Sequence, residues 1–145
     1  MNTKNYVKEF KEELYKLKKW IGNDENYYLV NSVKPNGETY SNLKNVILST
    51  QRIIDCLDNN LAYLVDDILY VLAMDNETED ILDFIVKYCN DNQLYIIISS
   101  GYTYRLSEVR WQIAEIIKRR YSKKYEKYLE YLKHDKDSYV KKRAN

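Results

Sequence analysis

Between Leu106 and Arg120 the segment LSEVRWQIAEIIKRR places Leu106, Val109, Ile113, Ile116 and Ile117 on a single helical face. Arg110, Glu115, Lys118 and Arg119 are then read onto the other faces, so the segment is an amphipathic helix. Its ends agree with that reading. Ser107 is placed to cap the first turn by accepting a backbone N–H, Glu108 suits the positive end of the helix dipole, and Arg119 and Arg120 suit the negative end.

Some twenty residues later YLKHDKDSYVKKRAN echoes the start of the same pattern, with Leu132, a charged turn, then Val140, Lys141 and Ala144. The run Val109-Arg110-x-x-x-Ala114-Glu115 and the run Leu132-Lys133-x-Asp135-x-Asp137-x-x-Val140-Lys141 resemble HEAT repeats of the short bacterial type. The resemblance covers residues 100–145 and, more loosely, residues 60–92. There Val65 to Met74 and Glu77 to Cys89 keep the helix-turn-helix rhythm but lack the Arg. In that family each repeat is a pair of antiparallel helices, and the Val-Arg of the first helix follows an Asp-containing turn. The resemblance implies an all-α fold of antiparallel helix pairs stacked as a short HEAT-like α-solenoid, with an extended surface left free for a partner.

The length, 145 residues, suits one domain with a core that needs no metal or disulfide staple. We read it as N-terminal helices and a loop over 1–60 followed by HEAT-like pairs over 61–145. The longest strongly apolar run, Leu94 to Ile98, is far too short to span a bilayer, and MNTKNYVKEF has no apolar signal core, so a cytoplasmic protein is expected. Cys56 and Cys89 each lie in an apolar helical pattern and are expected to be buried free thiols. Net charge is only +1, yet it is unevenly spread. From Asp55 to Asp91 ten acidic residues face one basic residue, Lys87, and from Leu106 to the end twelve basic residues face six acidic ones. This asymmetry predicts an electrostatically polar molecule.

Along the chain, Tyr6, Val7, Phe10, Leu14, Leu17 and Ile21 make one stripe of a first helix over 3–21, stopped by Gly22. Residues 23–41 carry the turn Pro35-Asn36-Gly37 and read as a loop, a short helix or a small hairpin. Tyr27, Tyr28 and Tyr40 make this segment either a recognition loop or a structural plug on the first helix. Helices are expected over 41–57, 61–74 and 78–89, the last burying Ile81, Leu82, Phe84, Ile85 and Tyr88. Leu94 to Ile98 is β-branched, but no other segment offers it a sheet, so it too reads as helix. The apolar series continues from Ile117 to Leu132 without a phase break, which permits one helix over 107–133. The repeat resemblance favours two, with Ser122 as the second cap.

Catalytic chemistry finds little support. The one histidine, His134, lies beside a charged turn with no Cys or Ser at a suggestive spacing, and the three glycines are too scattered to cradle phosphate. Asp66-Asp67 and Glu79, Asp80, Asp83 read as a solvated acidic face rather than as a metal or acid/base site. No catalytic residue, metal or cofactor is expected. Sixteen tyrosines, by contrast, are many for this length, and tyrosine offers large contact area with a hydrogen-bonding tip. The sequence therefore reads as a monomeric interaction protein, and specifically as an immunity protein that binds and neutralises a cognate, basic bacterial toxin, such as a nuclease. The expected partner-binding residues are Asp66, Asp67, Asp75, Glu79, Asp80, Asp83, Tyr27 and Tyr28. Two alternatives remain: nucleic-acid binding by a C-terminal basic run that includes Arg110, Lys118, Arg119, Arg120, Lys123, Lys124, Lys127, Lys141, Lys142 and Arg143, or a generic scaffold.

Overall fold

The N-terminal stripe folds as α1 (Thr3–Ile21) and buries Phe10, Leu14, Leu17 and Ile21. Asn2 caps it by accepting from the Asn5 N–H at 3.0 Å, and Gly22 ends it at φ +56°, where its N–H bonds the Lys18 carbonyl. Left-handed φ suits glycine, so the stop is built into the sequence. The computed structural model describes residues 2–145, which are helical throughout their regular structure, with no strand among them. After α1 come α2 (Glu25–Asn31), α3 (Leu43–Asp55), α4 (Val65–Met74), α5 (Asp80–Tyr88) and α6 (Asp91–Gly101). Then follow α7 (Ser107–Arg119), α8 (Glu126–Leu132) and α9 (Ser138–Ala144), with 3₁₀ turns leading into α4 and α8. No helix among the described residues is long and apolar enough to cross a membrane.

From Ile68 onward the helix α4 is apolar on every side, and such a segment must be enclosed. Every residue from Ile68 to Asp75 is buried, and α2, α3, α5, α6 and α7 all pack on it. Around this axis the odd-numbered helices form one row, α1 on α3, α3 on α5, α5 on α7 and α7 on α9, while α2 packs on α4 and α4 on α6. Helices α6 and α7 approach closely at Gly101. A Cβ there would lie 2.5 Å from Ile113 Cδ1 and 3.2 Å from Leu69 Cδ2, so any larger residue would force the Ile113 side chain to move. One continuous core runs from Phe10 to Ala144, joining the N-terminal helices α1 to α3 to the rest.

Residues 94–98 belong to α6. Asn90 and Gln93 form a reciprocal capping box that fixes the helix start, and Ile96, Ile97 and Ile98 are buried in it. Residues 107–133 are two helices, and the reason lies at Arg120. Its backbone leaves the helical region, and its guanidinium donates to the Val86 and Cys89 carbonyls, each at 2.9 Å. Tyr125 is then buried, its hydroxyl 3.3 Å from the Asp91 carbonyl. Neither expected serine cap forms. Ser107 lies inside α7, with its hydroxyl donating to Glu108 Oε2 and Leu106 in the cap position, and Ser122 makes no side-chain cap. Residues 23–41 contain α2 and a tight turn in which Lys34 N–H bonds the Glu38 carbonyl and Gly37 N–H bonds the Lys34 carbonyl. Cys56 and Cys89 are free thiols, Cys56 only half-buried, and burial pushes the Cys89 thiol up to about 12.

The turn from α4 into α5 holds Glu79 at φ +58°, a left-handed backbone that costs an L residue about 1–2 kcal/mol. Glycine there removes that penalty and returns roughly 0.5–1 kcal/mol as extra unfolded-state entropy. The Glu79→Gly variant is therefore expected to be more stable by about 0.5–1 kcal/mol, read as a higher urea midpoint at unchanged slope. A lower midpoint would show that the Glu79 side chain contributes more than its backbone strains.

Candidate protein-binding surface

Along the outer side of the odd-numbered row, most helix-to-helix steps are bridged by charge. Glu9 on α1 meets Arg52 on α3 at 2.8 Å, Asp83 on α5 meets Arg119 on α7 at 3.2 Å, and Glu115 on α7 meets Arg143 on α9 at 2.9 Å. Burial alone would raise the Glu115 carboxyl, but the Arg143 bond and the charges of Arg143, Lys118 and Arg119 hold it below the usual range. The step from α3 to α5 differs: no ion pair crosses it. In its place is a groove of about 310 Å³ lined by Leu48, Gln51, Arg52, Asp55, Phe84 and Tyr88.

Helical spacing builds this groove. Leu48, Arg52 and Asp55 lie three or four apart on α3, and Asp80, Phe84 and Tyr88 lie four apart on α5. Leu48 keeps 40% of its surface exposed and Tyr88 57%, while Phe84 is half-buried with its ring 4.9 Å from that of Tyr88. The expectation that Tyr88 belongs to the buried face is thus corrected, whereas Phe84 is partly buried and packs against the core. The α5 stripe that enters the core is Ile81, Leu82 and Ile85, and Tyr88, in the last turn of the helix, is left exposed at the edge of that stripe. Asp55 lines the groove and Asp80 lies one turn before Phe84, while Arg52, paired with Glu9, also lines it, so the apolar centre carries charge of both signs at its edge.

The expected acidic residues do not form one surface. Asp66 and Asp67 open α4, whereas Glu79, Asp80 and Asp83 follow its end, a helix of about 15 Å away. Asp67 lies 3.5 Å from Lys18, and both Asp66 and Asp67 border a polar hollow with Glu25, Tyr70, Tyr104 and Arg105. Asp75 is inside the protein at 2% exposure. It accepts from Thr78 Oγ1 and from the Ile81 N–H at 2.8 Å, tying the α4–α5 turn together. Burial pushes its carboxyl up to about 6, against the pull of Thr78 and the Ile81 N–H. Asp75 is therefore removed from the binding surface, because its carboxylate already has its partners in the interior.

The two tyrosines separate in the same way. Tyr27 is exposed, but Tyr28 is buried edge-on against Trp20 with ring centroids 5.6 Å apart, and Tyr40 packs on the same Trp20 at 5.3 Å. Residues 23–41 thus act as a plug on α1 and α4, helped by Asn76, which donates to the Leu29 carbonyl. Eight of the sixteen tyrosines, Tyr15, Tyr27, Tyr63, Tyr88, Tyr95, Tyr121, Tyr131 and Tyr139, remain exposed.

The predicted charge polarity is also reduced, because the acidic and basic segments pair with each other through Asp83–Arg119 and Asp91–Lys124. Six of the ten C-terminal cations are engaged within the fold. Arg110 is buried on Asp135, Arg120 serves the α5 carbonyls, and Lys118 donates to the Arg143 carbonyl; Arg119, Lys124 and Arg143 hold carboxylates. Arg110 was expected on a solvent face. It is in fact i+4 from Leu106 and i−3 from Ile113, which is the buried stripe. Among the described residues no group of His, Cys, Asp and Glu could hold a metal ion, and His134 is exposed, its Nδ1 3.0 Å from the Glu130 carbonyl. No protein-family model matches the chain, and comparison with curated proteins and with solved structures finds no match either.

Proposed function

We propose that the chain is a protein-interaction module built as a short HEAT-like α-solenoid, and within that class an immunity protein that binds and neutralises a basic bacterial toxin. Two features support the solenoid reading. Stacked helix pairs give packing of each helix on the next but one, as the odd-numbered row does. The Arg110 of one pair also reaches the Asp135 turn that leads into the next, which are the positions the HEAT resemblance singles out.

The observation that carries the binding reading is the α3–α5 groove, where exposed Leu48 and Tyr88 and half-buried Phe84 stand together beside Asp55 and the Glu9-paired Arg52. Leu48 and Tyr88 would be the anchors, since exposed aromatic and aliphatic side chains lose most by being left in water. Asp80 and Asp55 would meet cations at the partner's edge and speed encounter, with Asp83 already shared with Arg119. Asp66, Asp67, Glu79 and Tyr27 lie elsewhere, and of these only the three carboxylates would contribute, through long-range attraction.

The test is capture with tagged protein from nuclease-treated lysate at low and moderate salt. The expected result is one stoichiometric basic protein, toxic when expressed alone and harmless when co-expressed with this chain. Leu48→Asp or Tyr88→Ala should weaken that complex by about 2 kcal/mol or more, roughly thirtyfold. Asp80→Lys should slow association chiefly at low salt. Capture of nucleic acid alone, abolished by nuclease, would replace this reading with phosphate binding by the C-terminal helices.

A further inference from the structure

The turn that precedes α7 and the turn between α8 and α9 enclose a second hollow, a cleft of about 780 Å³ that shares no residue with the α3–α5 groove. One wall is a single stripe of α8 and its end, Lys127, Tyr131 and His134, at spacings of four and three. The facing wall is Thr103, Tyr104 and Arg105, and Lys136 lies at the α8–α9 turn. The floor is the buried pair of Arg110 and Asp135, with Nε to Oδ2 at 2.8 Å.

The charges of this cleft are not equivalent. Arg110 is consumed by Asp135, and Arg105 is held through two bonds by Glu25, at 2.8 and 3.2 Å. Glu130 faces Lys133 at 3.6 Å and His134 at 3.9 Å. Lys127 and Lys136 have no carboxylate partner among the ion pairs, so they are the cations free to meet a ligand. Between them stands a fixed aromatic surface. The Tyr131 ring packs edge-on to Tyr102 at 5.1 Å, and Tyr102 packs on Tyr128 at 4.7 Å, while Tyr131 stays 54% exposed. A ring braced from behind and open in front can stack a flat group without losing further side-chain freedom.

From this combination we propose that the cleft binds a small anion carrying a flat ring, of the nucleoside phosphate class. The phosphate charge lies between Lys127 and Lys136, hydroxyl donors from Thr103 and Tyr131 stand nearby, and the ring stacks on Tyr131. The volume falls within the range of small-molecule sites, about 300–1,000 Å³. Lys127 lines the cleft, and its ammonium rests 5.0 Å from the Tyr128 ring centroid.

His134 is the only histidine in the chain, so its ring protons give an isolated NMR signal inside the cleft. Titration of the intact protein with ADP, inorganic phosphate and adenosine separates the contributions of charge and ring. ADP should move the His134 signal saturably and more weakly as salt is raised, phosphate should do so at higher concentration, and adenosine should not match ADP. Lys127→Gln combined with Lys136→Gln should weaken ADP about tenfold, and Tyr131→Leu should weaken ADP but not phosphate. Lys127 and Lys136 are exposed, so the double-lysine variant should keep the wild-type unfolding midpoint, while Tyr131→Leu, which gives up the edge-on contact with Tyr102, should lower it slightly and still unfold cooperatively. No saturable shift with ADP, an equal shift with adenosine, or unchanged ADP binding in the double-lysine variant would overturn the assignment.

Discussion

The Asp135→Ala variant is expected to lose about 3–5 kcal/mol of folding stability, because it strands a buried guanidinium. Both side chains of the pair are over nine-tenths buried, and the contact is bidentate, Nε to Oδ2 at 2.8 Å and Nη2 to Oδ1 at 3.0 Å. Arg110 also donates from Nη1 to the Tyr104 carbonyl at 2.9 Å, and Asp135 accepts from the Asp137 N–H at 2.8 Å. Removing the carboxylate therefore unsettles two turns at once. Removing both charges together, as Arg110→Met with Asp135→Leu, should cost far less than Asp135→Ala, since no charge is left buried alone. Urea unfolding of the three proteins decides it, and a loss under about 1 kcal/mol for Asp135→Ala would mean that Arg110 escapes to water. The pair also has a pH signature. Burial by itself would raise the Asp135 carboxyl, yet the Arg110 bonds and the Asp137 N–H hold it below the usual carboxylate range. Its stabilisation is accordingly present above the unfolded value, about 3.9, and is lost as pH falls through the lower folded value.

Asp75 works in the opposite direction and supplies the second large effect. Its carboxyl is raised from 3.8 to about 6, mainly by burial. At 1.36 kcal/mol per unit this is about 3 kcal/mol in favour of the protonated form within the fold. The sign follows from the raised value: the native state holds the proton more tightly, so this contribution is complete below 3.8 and is lost as pH rises through about 6. Asp75→Asn is expected to remove that slope between about pH 4 and 6 and to be at least as stable as the wild type at neutral pH, because an amide can still accept from the Ile81 N–H. Asp75→Ala leaves that donor and Thr78 unpaired and should cost about 1–3 kcal/mol. Denaturant midpoints across pH 4–8 test the assignment; an Asp75→Asn protein that keeps the wild-type slope would refute it.

These two residues also mark how far the sequence could be read. Helix positions were legible because they depend on local period, caps and glycine stops, and the bounds of α1 fell where the Tyr6 to Ile21 stripe put them. Arg110 was legible in part. Its spacing from Leu106 and Ile113 places it on the core stripe, but charge argued for solvent, and the carboxylate that permits its burial lies 25 residues further along the chain. Asp75 reads as an ordinary turn acid. Its burial follows from the fact that α4 is enclosed, so that the turn leaving it is enclosed as well. The acidic surface failed for a related reason: a count of charge along a segment carries no information on which carboxylates meet Lys18, Arg119 or Lys124 across the fold. The α3–α5 groove was hidden because Leu48 and Tyr88 look like core residues by type, and only the placement of neighbouring helices decides which apolar stripe is left uncovered.

A repeat array usually melts piecemeal, since each unit leans only on those beside it. Here α4 is wrapped by α2, α3, α5, α6 and α7, so helices far apart in the sequence share one buried axis. Opening any of them exposes part of the same apolar cylinder, and the amide protons of Ile68 to Met74 are expected to be among the slowest to exchange with solvent. Helices α2 to α7 are therefore expected to give way as one cooperative unit around α4 rather than pair by pair.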